Sequence, residues 1–378
     1  MKHLLLLLTL LTMTTCGGST SIRPTCGTKG VGLKHRRTFN SGASFRTAEY
    51  YIPITVDGIP LEAVADTGSS NLIIANNTGF TPSGAPGANF TIGYGSGPTP
   101  STSINSISYS GDVDLYCGPG VNPYTYGYIQ TYYSNNGNYQ ETLLGLAYRD
   151  LEQPCLATPI PTFFSQLTTG PQALSNEFGM LLCGFGRDNF SRITFGGVLG
   201  SVTGLQYVPI LPTTNGCPSP TPVNGYYNVA AGKIRIGTGS SAVPAGDLSM
   251  PLAQTFVDSG TTVNIIPQAM FKNIVDTLTL NSQSLKSAIL ASNGNSIQCP
   301  DITGMPDITI DLTQGIVLTI PANKYFKNIG GGQCFFGFAP GTDTFVILGQ
   351  VTMENYYVHF DRKNNLIGFA PNTGLCGN

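Results

Sequence analysis

Apolar residues along the chain fall in short runs bounded by Gly, Pro, Asn and Asp, a pattern of strands and turns in which helices are few. Residues 50–76 read as two apolar strands around Asp57-Gly58, a strong two-residue hairpin signal. The second strand, over 61–65, runs directly into Asp66-Thr67-Gly68-Ser69-Ser70, and the apolar stretch Leu72-Ile73-Ile74 follows. Far downstream, Thr255-Phe256-Val257 runs into Asp258-Ser259-Gly260-Thr261-Thr262, again followed by an apolar stretch, Val263-Asn264-Ile265-Ile266. Each series then meets an apolar-apolar-Gly segment, Leu143-Leu144-Gly145 in the first and Ile347-Leu348-Gly349 in the second. One ordered series therefore occurs twice, which predicts two related lobes. The best helix candidate is 267–278, with proline in the first turn and Met270, Phe271, Ile274, Val275 and Leu278 at helical spacing. The Pro/Gly/Asn-rich stretch 212–225 reads as a surface loop.

The N-terminus has a different pattern. Lys2 and His3 precede an unbroken apolar run at 4–8, resumed at Leu10 and Leu11, with a small polar stretch at 14–19. This is the order of a secretory signal peptide, assigned to 1–18. No later stretch approaches the roughly 18 apolar residues of a membrane-spanning helix, so no transmembrane anchor is expected. The sequons at Asn76, Asn89 and Asn189 agree with a secretory route, leading outside the cell or to a lysosomal or vacuolar lumen. Nine cysteines become eight once Cys16 leaves with the signal, an even number that suggests disulfides with 105 possible connectivities.

Composition narrows the classes further. A chain of 378 residues with 41% hydrophobic and 10% charged residues can bury a sizeable core and is neither a disordered tail nor a coiled coil. With 47 Gly and 26 Pro among Ser, Thr, Val, Ile and Tyr, it reads as mainly β. The net charge of −2 gives no basic excess for nucleic acid. It hides a split, however: residues 20–49 carry six basic residues against Glu49, whereas the rest is acidic. The segment 19–48 is therefore expected to be a propeptide or basic N-terminal segment over an acidic body, with lobes at 49–200 and 201–378. Only His3, His35 and His359 exist, the first two ahead of the expected fold. A zinc site of several imidazoles is thus disfavoured, and a Ser-His-Asp mechanism would rest on His359 alone.

The doubled motif carries the chemistry. Each aspartate ends a buried apolar strand, where an unpaired carboxylate would cost several kcal/mol. The glycine two residues on allows a tight turn that brings N–H groups to the carboxylate, and Ser69 or Thr261 supplies a hydroxyl. If the lobes meet with a two-fold relation, Asp66 and Asp258 face each other, share one proton and titrate as a pair. Proteases with such a dyad are the standing illustration of this effect.

From about residue 50 to 371 these motifs resemble the pepsin-like aspartic proteases. Leu144-Gly145-Leu146-Ala147-Tyr148, the segments 347–349 and 356–362, Ile367-Gly368-Phe369-Ala370 and the flap-like Tyr94-Gly95-Ser96-Gly97 carry the likeness. Leu182-Cys183-Gly184-Phe185 and Pro161-Thr162-Phe163-Phe164 look more like the β-secretase branch. The resemblance implies a mainly β, bilobal fold: two pseudo-two-fold-related, β-barrel-like lobes with the active-site cleft between them. It implies a secreted endopeptidase, active in acid and needing neither metal nor cofactor, that cuts polypeptides between apolar side chains. In it Asp66 and Asp258 are catalytic, Thr67, Gly68, Ser69, Ser259, Gly260 and Thr261 orient the dyad, and Tyr94, Gly95 and Ser96 form the flap. It further implies a Cys299–Cys334 disulfide, a monomer, and a basic propeptide in the cleft with Lys34 on the dyad, cleaved between about Arg37 and Glu49. The chain has no Trp. Ile73 stands where the family's flap-contacting tryptophan is usual, and Gln350 where aspartate is frequent. Two other classes compete: a non-catalytic pepsin-like binding protein, which usually loses part of the dyad, and an unrelated carbohydrate binder, which leaves the doubled motif unexplained.

Overall fold

The computed structural model describes residues 30–39, 45–94, 102–115, 120–134, 141–151, 161–169, 173–187, 189–213, 223–239, 242–247, 254–292, 296–342 and 345–377. The assigned signal peptide and the flap residues Gly95 and Ser96 lie outside them, and of Tyr94 only the backbone is described.

The hairpin predicted at Asp57-Gly58 joins strands Phe45–Val56 and Ile59–Asp66, and both turn residues have positive φ, 50° and 78°. That is the geometry a two-residue turn needs to follow the right-handed strand twist. These two strands belong to an eight-stranded sheet that runs from Lys34–Phe39 to Asn89–Tyr94. Phe45–Val56 also pairs with Thr102–Leu115, which curls the sheet back on itself. The second half forms six-, four- and three-stranded sheets. A further six-stranded sheet combines strands from both halves, with Phe178–Leu181 hydrogen-bonded to Tyr356–Asp361. The expected boundary at 200/201 falls within the stretch that feeds this shared sheet. Among the described residues the protein is mainly β and bilobal, as the sequence implied.

The internal repeat is a structural repeat. Leu143–Gly145 lies between the strand entering the first Asp motif, to which it is parallel, and Leu72–Ile74 leaving it, to which it is antiparallel. Phe345–Leu348 sits in the same way between Gln254–Val257 and Asn264–Pro267. The glycines that follow the apolar pairs are required by close approach. A Cβ on Gly145 would press on the Ser70–Asn71 peptide, and one on Gly349 on the carbonyls of Thr261 and Val263. Both motif loops are thus clamped from behind by an apolar strand that ends in glycine.

The helix predicted over 267–278 spans Gln268–Leu278 with Pro267 as its N-cap, and it buries Phe271, Ile274 and Val275. The loop expected over 212–225 is shorter at both ends, because Leu211–Thr213 and Val223–Val229 pair as strands. Disulfides join Cys299 to Cys334 and Cys183 to Cys376. The second, unassigned from sequence, fastens the end of the shared sheet to the C-terminal turn.

Two expectations for the basic segment are corrected. His35 does not precede the fold: it is 7% exposed, stacked between the rings of Tyr50 and Phe185 at 4.0 and 4.2 Å. Lys34 does not reach the dyad either. Its ammonium lies 2.5 Å from Glu62, and Arg36 pairs with the same carboxylate. Alternation within Lys34–Phe39 explains both results, since His35 turns into the core as Lys34 and Arg36 turn out.

Candidate active site

The two Asp motifs meet loop against loop. Asp66 ends the strand Ile59–Asp66 and Asp258 directly follows Gln254–Val257, and each loop turns back to satisfy its carboxyl. The Gly68 N–H donates to Asp66 Oδ1 at 2.8 Å and the Ser69 hydroxyl to Oδ2 at 2.5 Å. In the second lobe, the Gly260 N–H donates to Asp258 Oδ1 at 2.8 Å and the Thr261 hydroxyl to Oδ2 at 2.5 Å. Both carboxyls are nearly buried, 6% and 7% exposed. The loops also face each other closely. A methyl group on Gly68 would lie 2.6–2.7 Å from the Asp258 carboxyl, and one on Gly260 would collide with that of Asp66. Glycine is needed at these positions to leave room for the opposite aspartate.

Thr67 and Ser259 lock the loops. The Thr67 N–H donates to the Ser259 hydroxyl at 3.0 Å, and the Ser259 N–H to the Thr67 hydroxyl at 2.9 Å. Each hydroxyl then donates across to the opposite strand, Thr67 to the Val257 carbonyl at 3.0 Å and Ser259 to the Ala65 carbonyl at 2.5 Å. These four bonds are reciprocal, so the two aspartates are held at a separation that neither lobe sets alone.

The electrostatics follow from this closeness. Burial, and next the charge of Asp66, push the Asp258 carboxyl well above the usual carboxylate range, against the opposing bonds from Thr261 and Gly260. Two adjacent carboxyls in a poorly solvated site retain a proton that either would lose in water. Of three further neighbours, Tyr226 and Glu49 were not singled out from sequence as part of this site, and Gln350 stood out only as a departure from the family's aspartate. Tyr226 stacks on Phe256 at 4.4 Å, and its phenol is pushed up by burial and then by Asp258 and Asp66. Glu49 is 6% exposed, and Gln350 is fully buried. Counting back from the Asp57-Gly58 turn sets Glu49 opposite Asp66, so the hairpin register was the signal that could have found it.

Ile73, in the place of the expected tryptophan, is fully buried with Ala75, Phe90, Ile92, Ile104 and Ile129, and so packs under the hairpin that leads to the flap. At the tip of that hairpin, Tyr94 pairs by backbone register with Thr102. His359 is 2% exposed between Tyr207 and Glu177, with ring contacts of 3.0 and 3.1 Å, in the shared sheet. It is a structural residue.

Two β lobes that bring a doubled, hydroxyl-locked Asp motif together define the class of bilobal aspartic peptidases. Residues 49–372 match the model of the eukaryotic aspartyl protease family, and the chain belongs to that family. It is 27% identical to pepsin A of Gallus gallus over 370 residues, 90% of this chain and 88% of that protein. Over 368 residues it is 24% identical to cathepsin E of Aquarana catesbeiana, 87% of this chain and 80% of that protein. A beta-secretase of Strongylocentrotus purpuratus is 26% identical over 275 residues, 65% of this chain and 50% of that protein. The enzyme class is that of an aspartic-type endopeptidase. Among the described residues no helix is long and apolar enough to cross a membrane.

Proposed function

We propose that this protein is a secreted, acid-active, monomeric endopeptidase whose dyad, Asp66 and Asp258, activates water against peptide bonds flanked by apolar side chains. The reciprocal seating of the two carboxyls carries this reading. With one proton between them, the ionised carboxylate takes a proton from a bound water as its oxygen attacks the scissile carbonyl carbon. The protonated carboxyl polarises the carbonyl oxygen and gives it a proton. Collapse of the tetrahedral diol breaks the C–N bond: the departing nitrogen takes up the proton that the dyad drew from water, and a diol hydroxyl returns its proton to the other carboxyl, so the dyad again holds one proton. Ser69 and Thr261 hold the carboxyls in plane for these transfers, and the Gly68 and Gly260 N–H groups favour whichever carboxyl is charged. Tyr94, Gly95 and Ser96 are assigned to a flap that covers the peptide and excludes solvent. The signal over 1–18 would route the chain into the secretory pathway, and the basic segment 19–48 would be a propeptide cut between about Arg37 and Glu49. That cut would release a strand whose Leu33 and His35 are buried in the uncut chain.

The test is proteolysis of an unfolded protein at about pH 4, with and without pepstatin. Wild type should cleave and be inhibited, and Asp66→Asn and Asp258→Asn should lose several powers of ten in rate while remaining folded. Substantial activity in either variant would overturn the assignment.

A further inference from the structure

Behind the dyad lies a third carboxyl that the mechanism above does not use. Glu49 is two residues beyond Tyr51, the last residue of its hairpin strand paired with Ile59–Asp66, and Asp66 is two beyond the partner Val64. The same strand is fastened to the second motif. The Thr262 hydroxyl both accepts from the Ala48 N–H and donates to the Ala48 carbonyl, at 3.0 Å each. Gln350 completes the link. Its side-chain amide donates to Glu49 Oε2 at 3.2 Å and to the Ser259 carbonyl at 2.9 Å, while its backbone N–H donates to the Thr261 carbonyl at 2.8 Å. A single buried amide thus joins the Glu49 carboxyl to the residue next to Asp258.

The charges around Glu49 are one-sided. From the neighbouring strand, Arg36 is its cross-strand partner, but that guanidinium passes over the Tyr51 ring to Glu62, and the ammonium of Lys34 pairs with Glu62 as well. Glu141, held by the Tyr51 hydroxyl, adds a negative charge, and Asp66 and Asp258 add theirs. Burial foremost, and then these three carboxylates, keep the Glu49 carboxyl well above its ordinary range, with the Gln350 bond opposing.

We propose that Glu49 is a positioning residue for the reaction: fixed to the second motif by Gln350, it sets how far up the pH scale the dyad keeps its shared proton. This rests on the dyad reading above. While Glu49 is neutral it leaves the dyad alone. Once ionised, it adds a negative charge to a poorly solvated site, so removal of the dyad's last proton becomes harder and the active form persists to higher pH. The effect has one direction only, because at low pH Glu49 carries a proton and no charge.

The experiment is the pH profile of kcat/KM on a peptide with apolar residues on both sides of the cut, using enzyme expressed from the full chain. Glu49→Gln keeps an acceptor for the Gln350 amide and removes the titrating proton. It should move the alkaline limb to lower pH by about half a unit or more, with the acid limb unmoved. Gln350→Glu adds a carboxyl at the same point and should move the alkaline limb the other way. Should Glu49→Gln fail to accumulate as folded protein, the sign of the Gln350→Glu shift decides. An unshifted alkaline limb, or an equal loss of rate at every pH, would overturn the role. Asp66→Asn run beside them keeps the two ideas apart: activity in that variant would defeat the dyad itself, whatever the profiles show.

Discussion

Removing one hydroxyl of the inter-lobe lock should cost both stability and rate. Thr67→Val keeps the volume and the β-branching but deletes an oxygen that accepts from the Ser259 N–H and donates to the Val257 carbonyl. Thr67 and Ser259 are both fully buried, so water cannot replace the lost partners without entering the junction. At about 1–1.5 kcal/mol for each bond, the loss is roughly 2–3 kcal/mol. Ser259→Ala removes the other two bonds and should cost a similar amount. The four bonds each run from a hydroxyl to backbone and none from hydroxyl to hydroxyl, so on local energetics alone the losses would add. The reciprocal arrangement predicts otherwise: once one side lets the loops part, the bonds on the other side are already weakened, and the double variant should cost about 1 kcal/mol less than the sum. Urea unfolding followed by circular dichroism measures this, since the chain has no Trp to report. Kinetically kcat should fall more than KM changes, because the lock fixes the spacing of the carboxyls and not a substrate pocket. Full stability and unchanged kcat in Thr67→Val would refute the reasoning, and strict additivity would refute the reciprocal lock.

Two other predictions concern the frame around the site. Glu354 is 1% exposed and receives the Lys327 ammonium and the Tyr50 hydroxyl, so Glu354→Gln should cost about 3–5 kcal/mol by leaving a buried cation unpaired. Burial acts to raise this carboxyl, but Lys327 and His35 outweigh it and hold the group below its ordinary 4.5. Its contribution is therefore complete above the unfolded value and is lost as pH falls through the lower folded one, so the gap between wild type and variant should narrow in acid. A gap that widens as pH falls would count against the pair. Replacing both Cys183 and Cys376 by Ser opens a loop of 193 residues, against 35 for Cys299–Cys334. By loop entropy the longer bridge contributes about 5 kcal/mol and the shorter about 4, so its loss should lower the melting temperature more; the reverse order would contradict that account.

What was legible in the sequence was what repeats or alternates. The hairpin at Asp57-Gly58, the helix after Pro267 and both Asp-centred motifs follow from local patterning, because turn residues, strand periods and glycine at crowded points act over a few neighbours. The sequence also showed that the series occurs twice, and hence that two like lobes exist. It did not show what holds those lobes at the right distance, because Thr67 bonds to Ser259, and Glu49 to Gln350, across hundreds of residues. The basic segment shows the same limit. Its charge suggested a propeptide but not that, in the uncut chain, alternation buries Leu33 and His35 against the body, and only the arrival of Phe185 and Glu354 from distant elements gives His35 a place to go. Tertiary structure decided the charge balance of the site as well. Whether a carboxyl keeps its proton depends on which other carboxyls and how much water surround it, and those are properties of the assembled junction rather than of any stretch of chain.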